Sequence, residues 1–180
     1  MRSLSKTYRP CWIGITLGSN LITVNTQYEI SYTIGLEMTD FELDKVTVEA
    51  LPLVQSGVIP LIPDAWKELL DAGMCDEITI PVSTAHDSVV AKYYGRPVGF
   101  INFNRYVREG YLWIHMAYVI PSWRTRGVYG LLFRHLIETE KQKGGLKRIC
   151  GGITPQNRAA IEAAKSVGRI HTSSTYTYNL

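Results

Sequence analysis

The stretch at residues 119–133, VIPSWRTRGVYGLLF, holds the side chains of this sequence best suited to bind an anion. Arg124, Arg126 and Gly127 form a turn between an apolar run that ends at Pro121 and an amphipathic run that follows. If the second run is a helix, its first turn offers backbone N–H groups with no intrahelical partner. The positive end of the helix dipole then lies beside the two arginines. Such a place favours a phosphate or pyrophosphate. Gly127 lets backbone approach the ligand without a Cβ in the way. The same residues also suit a plain strand-to-helix turn with solvated arginines, since short Gly/Arg turns are common.

The elements that would carry this turn follow from residue type and period. Residues 12–17, 21–26 and 28–35 are rich in β-branched and aromatic types and read as strands, the first two separated by a Gly18-Ser19-Asn20 hairpin turn. Thr39 or Asp40 reads as the cap of a helix carried by Phe41, Val46 and residues 48–53. Pro60 and Pro63 break the chain, and Asp64 caps a short helix over 65–72 that Gly73 closes. Strands follow over 88–94 and 98–106, joined by Gly95-Arg96-Pro97, and a long apolar strand over 111–121 reads as central. A helix is predicted over 124–143, with Val128, Leu131, Leu132, His135 and Leu136 on one face and Gly144-Gly145 as its stop. A strand over 146–154, a helix from Pro155 or Asn157 to Lys165 closed by Gly168, and a final strand over 170–180 complete the order. This is an α/β domain of the α+β layered kind.

Residues 124–130, RTRGVYG, resemble the coenzyme signature Q/R-x-x-G-x-G/A of the GNAT superfamily of N-acetyltransferases. Arg124 and Gly127 match the first two anchors, and Tyr129 stands where the family usually has Gly or Ala. Downstream the family often carries N-x-x-A-x-x-x-Y-x-x-x-G-F. This sequence has Asn157, Ala160 and Gly168 at those spacings, with Ala164 in place of the tyrosine and Arg169 in place of the phenylalanine. The resemblance implies a GNAT domain over 28–180, built on a mixed, mostly antiparallel sheet flanked by helices. Residues 1–27 are then an extension, an extra hairpin packed on the domain.

The resemblance also implies a chemistry, in which an amine attacks the thioester of acetyl-coenzyme A directly in a ternary complex. Positioning of the two reactants supplies much of the rate. An alkylammonium has a pKa of about 10.4, so a base must first remove its proton, often through water. Acetyl-coenzyme A is the co-substrate and no metal is expected. The residues 124–130, namely Arg124, Thr125, Arg126, Gly127, Val128, Tyr129 and Gly130, with Asn157, are expected to hold it. Ala117, Tyr118 and Val119 on the fourth strand are expected to contact the pantetheine arm and the thioester carbonyl. His115 is the candidate base: it lies nine residues before Arg124, a spacing at which the family commonly places a catalytic Glu or His. Position 113, the other such slot, is Trp, and residues 113, 115 and 117 are expected on one strand face. A core histidine bonded to a backbone carbonyl is the other reading of His115. With Ala164 in the slot of the usual general acid, Tyr176 or Tyr178 could take that part, although strand tyrosines more often pack.

Bulk properties narrow the alternatives. The chain has 180 residues, 46% hydrophobic and 19% charged, with a net charge of +3, which suits one globular domain and argues little for nucleic acid. No basic stripe is interleaved with aromatics. Cys11, Cys75 and Cys150 form no CxxC pair. No apolar run reaches the ~18 residues that span a bilayer. Ser, Gly and Asn interrupt the N-terminal apolar patch too soon for a secretory signal, so the expected location is cytoplasmic, with no membrane partner. The acceptor is an amine of a protein or a small molecule. A single strand after Gly168 leaves a sheet edge to be filled by the N-terminal hairpin or by a partner chain, as a homodimer would do. The departures at Tyr129 and Ala164 keep a second class open, a GNAT-fold binding or structural module with little or no catalysis.

Overall fold

The computed structural model describes residues 12–17, 20–25, 43–74 and 82–172, and the chain divides into two compact units, residues 1–41 and 42–180. In the first unit, β1 (Trp12–Leu17) and β2 (Asn20–Asn25) pair antiparallel, Trp12 opposite Asn25 and Leu17 opposite Asn20. The strand expected over 28–35, most of the final strand expected over 170–180, and Tyr176 and Tyr178 lie outside the described residues.

Residues 41–53 were expected to be helical, yet a single 3-10 turn, Leu43–Lys45, leads into the strand β3 (Val46–Pro52). The β-branched run Val46-Thr47-Val48 prefers the extended state. Pairing with β4 (Asp87–Tyr93), from Val46 opposite Tyr93 to Pro52 opposite Asp87, supplies the hydrogen bonds a helix would have made itself. Among the described residues β3 is an edge strand, where a terminal Pro52 is tolerated. α1 (Ile62–Asp71) starts earlier than expected, with Pro63 in its first turn, so Asp64 meets the helix dipole from within the first turn instead of capping it.

β4 turns into β5 (Arg96–Tyr106) through Tyr94-Gly95, both in the left-handed region at φ 46° and 77°. The two-residue turn replaces the expected Gly95-Arg96-Pro97 and matches the strand twist. β6 (Tyr111–Val119) continues the sheet, and β7 (Arg148–Gly151) pairs parallel to it. The order β3-β4-β5-β6-β7 is therefore mixed and mostly antiparallel.

α2 (Val128–Lys143) lies across one face of the sheet. Its buried residues are Val128, Leu132, Phe133, Leu136 and Glu140; Leu131 and His135 of the expected stripe are half-buried. Glu140 is almost wholly buried, and two cations neutralise it: Arg105 Nε at 2.7 Å and Lys143 Nζ at 3.1 Å. Arg105 also donates to Gly144 O at 3.0 Å and so ties β5 to the end of the helix. On the opposite face, Val90, Phe100 and Met116 pack with Ile62 and Ala65 of α1. α3 (Arg158–Ser166) is the last described element, and of the two expected starts, Pro155 and Asn157, Asn157 is its N-cap.

β6 contains a bulge. Asn102 faces Met116 and Phe103 faces Ile114, which leaves His115 without an opposite residue. A bulge bends its strand and increases the twist. One residue before it, at Ile114 opposite Gly151, the pairing with β7 ends. A Cβ on Gly151 would sit 3.1 Å from both Cβ and O of Ile114. Gly151→Ala is accordingly expected to destabilise the protein by about 1–3 kcal/mol, as read from urea unfolding.

Candidate active site

Beyond Ile114, β6 runs on with no partner on its β7 side among the described residues. Which backbone groups this exposes follows from the ladder on the other side. Ile120 N–H donates to Val98 O at 3.0 Å. Residues two apart on an antiparallel strand point to the same neighbour, so Tyr118 and Met116 also serve β5. Ala117 and Val119 direct their N–H and C=O groups to the vacated edge, and Val119 O is taken by Arg124 Nε at 2.9 Å.

The strand leads through a 3-10 turn, Pro121–Trp123, into residues 124–127, where Thr125 and Gly127 have φ of 60° and 80°. These left-handed residues delay α2 to Val128, four residues past the expected start. Gly127 is the N-cap without a side-chain cap, and the first intrahelical bond there is Leu131 N to Gly127 O, 3.1 Å. The N–H groups of Val128, Tyr129 and Gly130 are thus left without intrahelical partners at the positive end of a 16-residue helix.

The vacated edge and this helix end open on one cavity of about 950 Å³, walled by α1, β6, the 124–127 turn, the start of α2, β7 and α3. His115, Ala117, Tyr118, Val119, Arg124, Thr125, Gly127, Val128, Tyr129, Gly130 and Asn157 all line it. Of the residues expected at the site, Arg126 alone is not among the lining residues. The cavity has the edge of β6 on one wall and the N-terminal end of α2 on another.

Arg124 has a second employment that its sequence position did not reveal. Its guanidinium grips Glu68 of α1 through both nitrogens, at 2.7 and 2.6 Å, and stacks over the Tyr118 ring at 5.4 Å. The side chain clasps α1 to the end of β6, while the turn it belongs to presents backbone to the cavity. Both partners are partly exposed, so Glu68→Gln is expected to cost less than about 1 kcal/mol in chemical denaturation, and less again in high salt. Asn157 likewise works structurally, its Oδ1 accepting Ala160 N–H at 3.0 Å. Arg169 lies near Tyr129 and Gly151 at the far wall, with Nη1 3.4 Å from the Tyr129 hydroxyl and Nη2 3.3 Å from Gly151 O. Ala164, in the slot where the resemblance would place a tyrosine acid, is buried and does not line the cavity.

His115 lines the cavity and is partly buried. Its Nε2 is enclosed and has no hydrogen-bond partner among the described residues, so no core contact through that atom accounts for it there. Burial first, and the neighbouring His86 second, hold its pKa below the ordinary imidazole value. The bulge also corrects its expected orientation. Met116 and Tyr118 share a face with Phe100, which packs toward α1, whereas Ala117 is opposite Ile101 on the α2 face. His115 stacks on His86, and His86 is bonded to Asn102, whose register partner is Met116; so His115 lies on the α1 face and does not share a face with Ala117. His86, Asn102 and Glu68 escaped the sequence reading because their partners are 16 to 56 residues away and carry no local pattern.

Known proteins can be set beside this geometry. No curated protein matched the sequence. Among solved structures, an aminoglycoside acetyltransferase from an uncultured soil metagenomic sample, in complex with trehalose, superposes with a TM-score of 0.58 at 14% identity, covering 76% of this chain and 97% of that one. The aminoglycoside N-acetyltransferase AAC(6')-Iy in complex with CoA gives 0.52 at 18% identity, over 74% and 98%. A ribosomal-protein-alanine N-acetyltransferase from Brucella melitensis biovar Abortus 2308 gives 0.56 at 14% identity, over 75% and 99%. At these identities the likeness is one of fold. The sequence itself matches the Acetyltransferase (GNAT) family over residues 61–168, which takes in α1, β4 to β7, the 124–127 turn and α3, and on that match the chain belongs to the GNAT acetyltransferase family.

Proposed function

We propose that this protein is an N-acetyltransferase that moves the acetyl group of acetyl-coenzyme A to an amine by direct attack. The observation that carries the reading is the set of backbone donors without a strand or helix partner among the described residues, at the vacated edge of β6 and at the N-terminus of α2, in a cavity that His115 also lines. The N–H groups of Val128, Tyr129 and Gly130 receive the pyrophosphate, and Gly127, with no Cβ, keeps the approach open. The N–H groups of Ala117 and Val119 hold the pantetheine arm and polarise the thioester carbonyl. Thr125 and Asn157 complete the walls. His115, neutral near pH 7, takes the proton of the acceptor ammonium directly or through water. The amine nitrogen then bonds to the acetyl carbon as the carbon–sulfur bond breaks. Coenzyme A leaves as a thiol or thiolate, for which a dedicated acid is dispensable: a thiol pKa is about 8.5.

Ala164 favours a second reading, a coenzyme-binding module without turnover. One assay separates the two: thiol release from acetyl-coenzyme A in the presence of a broad panel of amines, peptide N-termini and lysine peptides. The enzyme reading expects acceptor-dependent release. Coenzyme binding with no release for any acceptor supports the module.

A further inference from the structure

The site contains a second imidazole that the proposed reaction does not use. His86 lies in the segment before β4, 9% exposed, and is not among the cavity-lining residues. Its ring is stacked on that of His115, with centroids 4.2 Å apart and planes 17° from parallel. On its other side Nδ1 is 2.9 Å from Oδ1 of Asn102, a fully buried residue of β5. The Asn102 amide directs Nδ2 to Asp87 O at 3.2 Å and to Ser88 Oγ at 3.3 Å, and this fixes Oδ1 toward the imidazole. Ser83 N–H donates to the same Nδ1 at 3.2 Å. A polar chain thus runs under the α1 face of the sheet, from the β4–β5 ladder through Asn102 and His86 to His115.

We propose that His86 is a positioning residue for His115: the Asn102–His86 pair holds a flat ring against the bulge residue and fixes its plane toward the cavity. This rests on the reading of His115 as the base. The bulge explains why such a device is needed. A bulged residue lacks the cross-strand neighbour that ordinarily locks a side chain, and His86 supplies the missing contact. The stack also opposes double protonation, because two imidazolium rings at van der Waals distance repel. Other charged or titratable groups border the cavity: Glu68 of α1, Arg124 of the turn, Tyr118 of β6, Arg134 of α2 and Arg169 after α3. Cys150 of β7 is opposite Trp113. Among all these, His86 is the one whose field has a resolved effect on His115.

The test reads the imidazoles first without coenzyme or acceptor. Nitrogen-15 NMR titration of the wild type is expected to show His115 protonating below the ordinary imidazole range. In His86→Phe, which keeps a flat ring but no charge and no donor, His115 is expected to titrate at higher pH. His86→Gln, which keeps a polar side chain but no ring, serves if the first variant does not fold. The same His115 titration in wild type and variant would overturn the proposal. In turnover, both variants are expected to lower kcat by up to about 10²-fold with the KM for acetyl-coenzyme A held, and His86→Phe is expected to move the acidic limb of the pH–rate profile upward. A unchanged kcat and limb, with an altered titration, would also overturn the positioning role. If His115→Ala keeps full activity while the His115 titrations of wild type and His86→Phe differ, the base assignment fails on its own and separately from the positioning role.

Discussion

A His115→Ala variant is expected to turn over about 10²–10⁴-fold more slowly than the wild type, with its affinity for acetyl-coenzyme A held near the starting value. The split follows from placement. His115 lies at the bulge of β6 on the α1 face, whereas the donors assigned to the pyrophosphate are at the start of α2. The sign of the pH dependence follows from burial. His115 has its pKa lowered, by desolvation first and by His86 second. The neutral base is then present through the ordinary imidazole range, and activity falls only as pH drops through the lowered value. Replacing the imidazole should remove that limb, which a pH–rate profile of kcat/KM reads. Full rate for His115→Ala across pH 6 to 9 would make the residue structural.

The coenzyme end of the site gives the second large effect. Gly130 is the third residue of α2, lines the cavity, and has room for a side chain, since a Cβ there would meet nothing nearer than Arg134 Nη1 at 3.8 Å. Gly130→Asp puts a carboxylate among the N–H groups assigned to the pyrophosphate. The fold should gain: Gly costs a helix up to about 1 kcal/mol, and an acidic residue in the first turn contributes about 0.3–1 kcal/mol. The coenzyme should lose. Two like charges about 5 Å apart repel by about 3 kcal/mol at an effective dielectric of about 20, which corresponds to about 100-fold in affinity. A higher Tm with an affinity reduced to that extent is the expected pair of results. Undiminished affinity would move the phosphate away from this helix end.

Much of this site was legible in the sequence because it is built from local signals. The apolar run of β6, the Arg/Gly turn and the 3.6-residue period of α2 are contiguous, and Asn157 caps α3 within its own turn. What failed was non-local. Val46–Pro52 carries no period strong enough to resist a helix assignment, and it becomes a strand because β4 is there to pair with it. The bulge at His115 exists only in the register of β5 against β6, so the shared face expected for residues 113, 115 and 117 could not survive the insertion of an unpaired residue. The Glu68–Arg124 clasp and the His86–His115 stack join residues 56 and 29 positions apart, through backbone paths that no motif encodes.

The central claim is that the cavity between β6 and β7 takes acetyl-coenzyme A, and calorimetric titration of the purified protein, paired with thermal melting, tests it most directly. A single saturable site is expected. At about 100 times the dissociation constant the ligand should stabilise the fold by about 2.7 kcal/mol, a rise in Tm of about 5–10 °C for a domain of this size. No heat of binding and an unchanged melting temperature, with acetyl-coenzyme A and with its longer acyl homologues, would contradict the account.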